Sequence, residues 1–228
     1  EFRRVLFRSR WAERQDLPRI EGHRQGVASV RRTVEECSRL DIEQLTLYCL
    51  SSENWKRPQA ELDFLMHLLE QYMIEERSTI MDQEIRVRII GRRDGIPDRV
   101  LYEMDKTIAL SAANQGTLLC LAINYGGRAE MIDAIKRISV EIQNRRLQPE
   151  DISEELLADY LDTAGMPDPD LLLRTAGEMR ISNFLLWQIS YSELWVTDKC
   201  WPEFQVEDLH HAIRDYAARD RRFGGLAK

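Results

Sequence analysis

A chain of 228 residues with 43% hydrophobic and 31% charged side chains suits one globular domain of generous size, or at most two small ones. No apolar run approaches the ~18 residues of a membrane-spanning helix, and no secretory signal is visible. The formal net charge of -7 argues against a general nucleic-acid binder, while arginines gathered in loops stay compatible with a local anion site.

In chain order, residues 1–9 carry three arginines and no clear period. They read as a non-native or damaged end and are set aside, which leaves 10–228 as the domain. Arg10-Trp11-Ala12 leads through Pro18 and Arg19 to Gly22-His23-Arg24. A helix follows, with Val27, Val30, Val34 and Cys37 at spacings of three and four, ending near Leu40. Leu45 to Leu50 reads as a buried strand. A long helix is expected from about Ala60 to Met81, with Leu62, Leu65, Leu69 and Met73 on one side and Phe64, Leu68 and Tyr72 widening the apolar face. That width suits a helix buried on two sides, or the wall of an apolar channel.

Ile85 to Ile90 alternates as a strand before Gly91. Leu101, Met104 and Ile108 mark a helix, Thr117 to Asn124 a strand, and Met131, Ile135, Ile138 and Ile142 another helix. A short helix covers Glu154 to Leu161, brief strands are expected at Leu171-Leu172-Leu173 and Leu194-Trp195-Val196, and a last helix runs from Phe204 to Arg219. Strands alternating with helices predict one α/β domain with a mostly parallel sheet covered on both faces. The cysteines Cys37, Cys49, Cys120 and Cys200 lie far apart without a CxxC pair, so reduced thiols are expected rather than disulfides or a zinc site.

Two polar clusters follow strands, where open parallel sheets hold ligands. The first is Ser51-Ser52-Glu53-Asn54-Trp55-Lys56-Arg57-Pro58, in which an indole beside a guanidinium exceeds what a merely soluble loop needs. The second is Arg174-Thr175-Ala176-Gly177-Glu178-Met179-Arg180-Ile181-Ser182-Asn183. Its two arginines and serine suit diphosphate oxygens, because arginine gives planar, bidentate, permanently charged contacts. Arg57 and Arg128 also follow strands, so several cations could converge on one rim. Gly22-His23 at a helix start would offer backbone N–H groups to an anion. Glu193, flanked by aromatic and apolar residues, needs a cationic partner, either an arginine or Mg²⁺. P-loop, G-x-G-x-x-G and serine-elbow motifs are absent.

These runs, with Asn124-Tyr125-Gly126-Gly127-Arg128, Arg180 to Trp187 and Arg221-Arg222-Phe223-Gly224-Gly225, resemble the cis-prenyltransferases, most closely the bacterial undecaprenyl diphosphate synthase branch. The resemblance covers nearly everything from Arg10 to Gly225. It implies Mg²⁺-dependent condensation of isopentenyl diphosphate onto an allylic starter, farnesyl diphosphate, with cis double bonds and an apolar tunnel for the product. It also implies a cytoplasmic homodimer, no nucleic-acid partner, and peripheral membrane contact for product release.

By the same resemblance, Arg10, Trp11, Arg19 and His23 would hold the allylic diphosphate. Ser51, Ser52, Glu53, Trp55 and Arg57 would line the substrate site, and Arg174, Arg180, Ile181 and Ser182 would bind isopentenyl diphosphate. Asn54 would take the catalytic role, positioning a proton rather than accepting it, since an amide is too weak a base. Glu193 would be a metal ligand, reaching a neighbouring site across the dimer. The family pattern has Met-Asp-Gly-Asn one residue before Arg-Trp-Ala, and here Leu6 stands at the Asp. Impairment on the order of 10²–10³ is therefore expected for this chain. The alternative is a catalytically silent subunit, which should also have shed Asn54, Arg57, Arg174, Arg180 and Ser182.

Overall fold

In the computed structural model the described residues are 7–220, without the side chains of 7–10 and 19. The central element is β3, Leu118–Tyr125, an apolar run buried along almost its whole length. It pairs in parallel with β1, Gln44–Ser51, on one side and β2, Arg86–Ile90, on the other. Parallel neighbours need long crossovers, and helices supply them. Between β1 and β2 run α3, Gln59–Glu75, and α4, Arg77–Asp82, while α5, Asp98–Ser111, joins β2 to β3. Ahead of them lie α1, Phe7–Arg14, and α2, Arg19–Arg39. After β3 come α6, Gly127–Gln143; α7, Glu154–Tyr160; β4, Leu171–Arg174; β5, Glu193–Val196; and α8, Val206–Ala217.

The alternation of β3 divides the core. Leu119, Leu121 and Ile123 face a cluster with Val30, Val34, Leu65, Met73, Val100 and Met104. Cys120, Ala122 and Tyr125 face the opposite cluster with Ile90, Phe184 and Leu185, where Tyr48 stacks on Phe184 at 4.5 Å between centroids. Successive side chains of a strand point to opposite faces, so one apolar run serves both layers. The Cys37, Cys120 and Cys200 side chains are buried and Cys49 is half-buried. Burial pushes the Cys37 and Cys120 thiols up to about 12, which leaves them unreactive.

The α/β fold with a parallel sheet is as expected, and among the described residues the sheet lies in two pieces, β1-β3-β2 and β4-β5. β1 and β4 border a common cavity of about 540 Å³ instead of pairing with each other.

The long helix expected at Ala60–Met81 breaks at Glu76. There the Glu76 carboxylate, buried to 5% exposure, turns to Arg31 of α2, and Arg77 reaches Glu103 and Thr107 of α5. The Thr107 hydroxyl donates to the Met73 carbonyl at 3.0 Å, so partners from other helices satisfy the groups exposed at the break.

Finally, α2 starts at Arg19, with Pro18 preset for a helix start. Gly22 and His23 therefore lie inside the intrahelical ladder and are not free anion donors. No helix among the described residues is long and apolar enough to cross a membrane.

Candidate active site

The loop after β1 is one turn of 3-10 helix, Ser52–Lys56. Asn54, only 6% exposed, accepts the Ser51 N–H at its Oδ1 over 2.9 Å. Its oxygen is thus committed to the backbone and its amide N–H₂ is the group left to orient a ligand. Trp55 is half-buried, and its indole N–H donates to Asn124 Oδ1. Asn124, the penultimate residue of β3, lies in the left-handed region at φ +50 and donates from Nδ2 to the Arg92 and Asp94 carbonyls, both at 3.1 Å. The indole noticed in the sequence is therefore a brace between two loops.

Arg57 donates to Glu61, which opens α3 one helical turn later, and Glu61 lies 3.5 Å from Nε2 of the fully buried His23. A carboxylate that sequence reasoning passed over thus joins two expected diphosphate ligands. The Arg57/Glu61 spacing of four residues on a helix start was the available signal.

The loop after β4 is irregular for a physical reason. Ala176, Ser182, Asn183 and Leu185 all adopt positive φ, at +64, +55, +62 and +44. Such conformations cost about 1–3 kcal/mol each and gather at sites that need a fixed geometry. Within this loop Arg174 Nη2 donates to Ser182 Oγ at 3.1 Å. Arg180 pairs with the buried Glu178, and Ile181 is 41% exposed beside the cavity bordered by β1 and β4.

The two loops meet: Asn183 Nδ2 donates to Glu53 Oε1 at 2.8 Å. Ser52 belongs to the same meeting point, since a Cβ on Gly126 would come within 2.6 Å of both Ser52 Oγ and Asn183 Nδ2. Beneath them Glu130 of α6 sits at 4% exposure. Burial pushes its carboxyl up, against hydrogen bonds from the Tyr125 hydroxyl, Gln188 and the Asp162 N–H.

Other expected residues lie apart or outside. Glu193 opens β5 opposite Leu171, three residues from Arg174, or about 10 Å along the strand. It is ion-paired with Arg219 at 2.6 Å. No group of three or more His, Cys, Asp or Glu side chains among the described residues converges as for a metal. Trp11 is half-buried on α1. Leu6 and the Arg221–Gly225 motif lie outside the described residues, as do the side chains of Arg10 and Arg19.

Comparison with known proteins gives the family. Residues 8–224 match the prenyltransferase family model for undecaprenyl diphosphate synthase. An isoprenyl transferase of Rhodopirellula baltica is 57% identical over 217 residues, 95% of this chain and 89% of that one. One of Geobacter sulfurreducens is 48% identical over 94% of this chain and 87% of its own length. Among solved structures, lavandulyl diphosphate synthase from Lavandula x intermedia, in complex with dimethylallyl diphosphate, superposes with a TM-score of 0.93 at 34% identity, over 96% of this chain and 95% of that one. A probable undecaprenyl diphosphate synthase from Campylobacter jejuni gives 0.77 at 32% identity, over 88% and 92%. With two loops converging on a rim of arginines, hydroxyls and amides, and with these likenesses across almost its whole length, the chain belongs to the undecaprenyl diphosphate synthase family of isoprenyl transferases.

Proposed function

We propose that the chain condenses isopentenyl diphosphate onto farnesyl diphosphate with cis stereochemistry. The product would be a long polyprenyl diphosphate such as undecaprenyl diphosphate, the lipid-carrier precursor of cell-wall synthesis. The observation that carries this reading is the convergence of the β1 and β4 loops, which brings Arg174 and Ser182 to the same rim as Glu53 and Ser52. Preorganised cations stabilise the charge that builds on a departing diphosphate, and holding two diphosphates on one rim supplies proximity. The allylic diphosphate bound by the lavender relative supports an allylic ligand here.

In this reading His23 and Arg57, tied through Glu61, would hold the allylic diphosphate, and Arg10, Trp11 and Arg19 would share that role. Arg174, Arg180, Ile181 and Ser182 hold isopentenyl diphosphate, and Trp55 braces the site. Asn54 donates from its amide N–H₂ to the diphosphate oxygen or water that receives the departing proton, and so positions the acceptor.

Mg²⁺, when bound, neutralises diphosphate charge. It commonly takes one or two carboxylates and completes its shell with substrate phosphates. Glu193 would be one such carboxylate, supplied across a homodimer, and would exchange its ion pair with Arg219 for the cation. The cavity of about 70 Å³ walled by Leu65, Leu69 and Tyr72 of α3 would be the start of the product tunnel, widening as α3 shifts. The protein would work in the cytoplasm and release product by peripheral membrane contact.

The test is incorporation of labelled isopentenyl diphosphate with farnesyl diphosphate and Mg²⁺, in this chain and in V5M/L6D/F7G/R8N. Leu6 offers no donor where the family pattern has Asp, so the fourfold variant should be faster by on the order of 10²–10³. Activity in neither would sink the reading and favour the silent subunit. Equal activity would remove the role given to position 6.

A further inference from the structure

Asn183 is none of the substrate-binding positions above, yet three of its polar groups hold different parts of the rim. Its backbone carbonyl accepts the Gly127 N–H at 2.8 Å. Its Oδ1 accepts the Arg128 N–H at 3.0 Å. Its Nδ2 donates to Glu53 Oε1 at 2.8 Å. The first two bonds satisfy the opening N–H groups of α6, whose N-cap residue is Gly126 and carries no side chain to do so. The cap arrives instead from a loop 55 residues away. Asparagine suits the position because its φ is +62, a region that asparagine tolerates better than most residues. Gly126 itself is extended at φ -164, so its requirement is space. A Cβ there would lie 2.6 Å from both Asn183 Nδ2 and Ser52 Oγ.

We propose that Asn183 is a positioning residue that fixes the distance between the two halves of the site. One half is the loop after β1 with Glu53 and Asn54, and the other is the loop after β4 with Arg174 and Ser182. The N-terminus of α6 is the anchor common to both, and no other side chain described above touches all three. The functional part of this inference rests on the proposed condensation. Two substrates bound by separate loops react only when their carbons are held at reacting distance, and a shift of about 1 Å can cost on the order of 10²-fold. Loosening Asn183 should therefore lower turnover while each diphosphate still finds its own ligands.

The variants separate these roles. N183D keeps an acceptor for the Arg128 N–H but replaces the donor to Glu53 with a like charge. N183A removes both. G126A keeps every group and pushes Asn183 and Ser52 apart. In the full chain, four quantities would be measured: turnover, Kd for isopentenyl diphosphate, thermal midpoint, and hydrogen exchange of the Arg128 amide.

N183D and G126A should lose about 10–10² in kcat, with Kd for isopentenyl diphosphate within about threefold and a single cooperative thermal transition retained, lowered by the like charge or the added Cβ. The Arg128 amide should stay protected in N183D and lose protection in N183A. Wild-type turnover in both N183D and G126A would overturn the proposal, and so would a protected Arg128 amide in N183A. A wild-type chain that neither binds isopentenyl diphosphate nor turns over would refute the proposed condensation, and with it the catalytic consequence drawn here. The exchange pattern would then still decide whether Asn183 clamps the loops.

Discussion

The rim at the strand ends and the seam between α2 and α8 are both rich in charge, but they are built on opposite plans. At the seam, Glu36 of α2 accepts two hydrogen bonds from Arg39, at 2.8 and 2.5 Å, and meets His210 of α8. Arg32 adds a bond to the Phe204 carbonyl and Trp201 one to the Gly26 carbonyl, both at 3.0 Å. Glu36, Arg39 and His210 all stand on regular helix. At the rim, by contrast, backbone with positive φ carries Asn124, Ser182 and Asn183, and the side chains tie loops together. Polar groups on regular helices serve mainly to dock them. Polar groups on a strained backbone hold a geometry that docking alone would not produce. Rim substitutions should therefore move kinetics before stability, and seam substitutions the reverse.

The largest effect should come from N54A, with kcat down by on the order of 10² and the Michaelis constants little changed. A rise in those constants at unchanged kcat would make Asn54 a plain ligand and blur the contrast. R174A should raise the Michaelis constant for isopentenyl diphosphate by about 10–10²-fold, the loss of a charge-assisted contact. An unchanged constant in steady-state assays would withdraw Arg174 from that role. E61A should raise the constant for farnesyl diphosphate by about 3–10-fold, because Arg57 and His23 lose their common carboxylate. If it lowered the thermal midpoint and left kinetics intact, Glu61 would belong with the seam.

The smallest effect, and one confined to stability, belongs to E36Q. Hydrogen bonds from Arg39 and then His210 hold the Glu36 carboxyl at about 2, below its ordinary 4.5. Between those values the unfolded chain binds the proton and the folded one does not, so the contribution is present above about pH 4.5 and fades as pH falls toward 2. E36Q should flatten the fall of the thermal midpoint across that window and leave turnover at neutral pH alone. Glu130 has the opposite sign: its raised pKa makes folding less favourable as pH climbs above the ordinary carboxylate value.

What was legible in the sequence follows the same division. β1, β2 and β3 were readable because each carries an apolar or alternating run, although β1, expected as a buried strand, is only half-buried except at Leu50 because it borders the large cavity. The helical faces of α5 and α8 were readable from spacing. The break at Glu76 was not, because its causes, Arg31 and Thr107, come from other helices. The start of α2 was misjudged by giving Gly22 more weight than Pro18. At the site, residue types announced a polar rim after β1 and β4. The bonds that assemble it, Asn183 to Glu53 and Trp55 to Asn124, span 130 and 69 residues, and local pattern carries no trace of them. Glu193 shows the same limit in part: its neighbours called for a cationic partner, which Arg219 supplies, and only the β4–β5 register puts it at the far end of the strand from Arg174.

The strand order also sets a timetable. β3 is the middle strand, yet it is made third, and Arg86 opposite Leu118 closes a loop less than half as long as the one closed by Gln44 opposite Leu118. Each doubling of a loop costs about 0.6 kcal/mol in closure entropy, so the β2–β3 pair should assemble first and β1 should join it afterwards. The turn carrying Asn54 is attached to the end of β1 and enters with it. Competence is then among the last things the chain acquires, reached only when the latest strand has zipped onto a nucleus already formed.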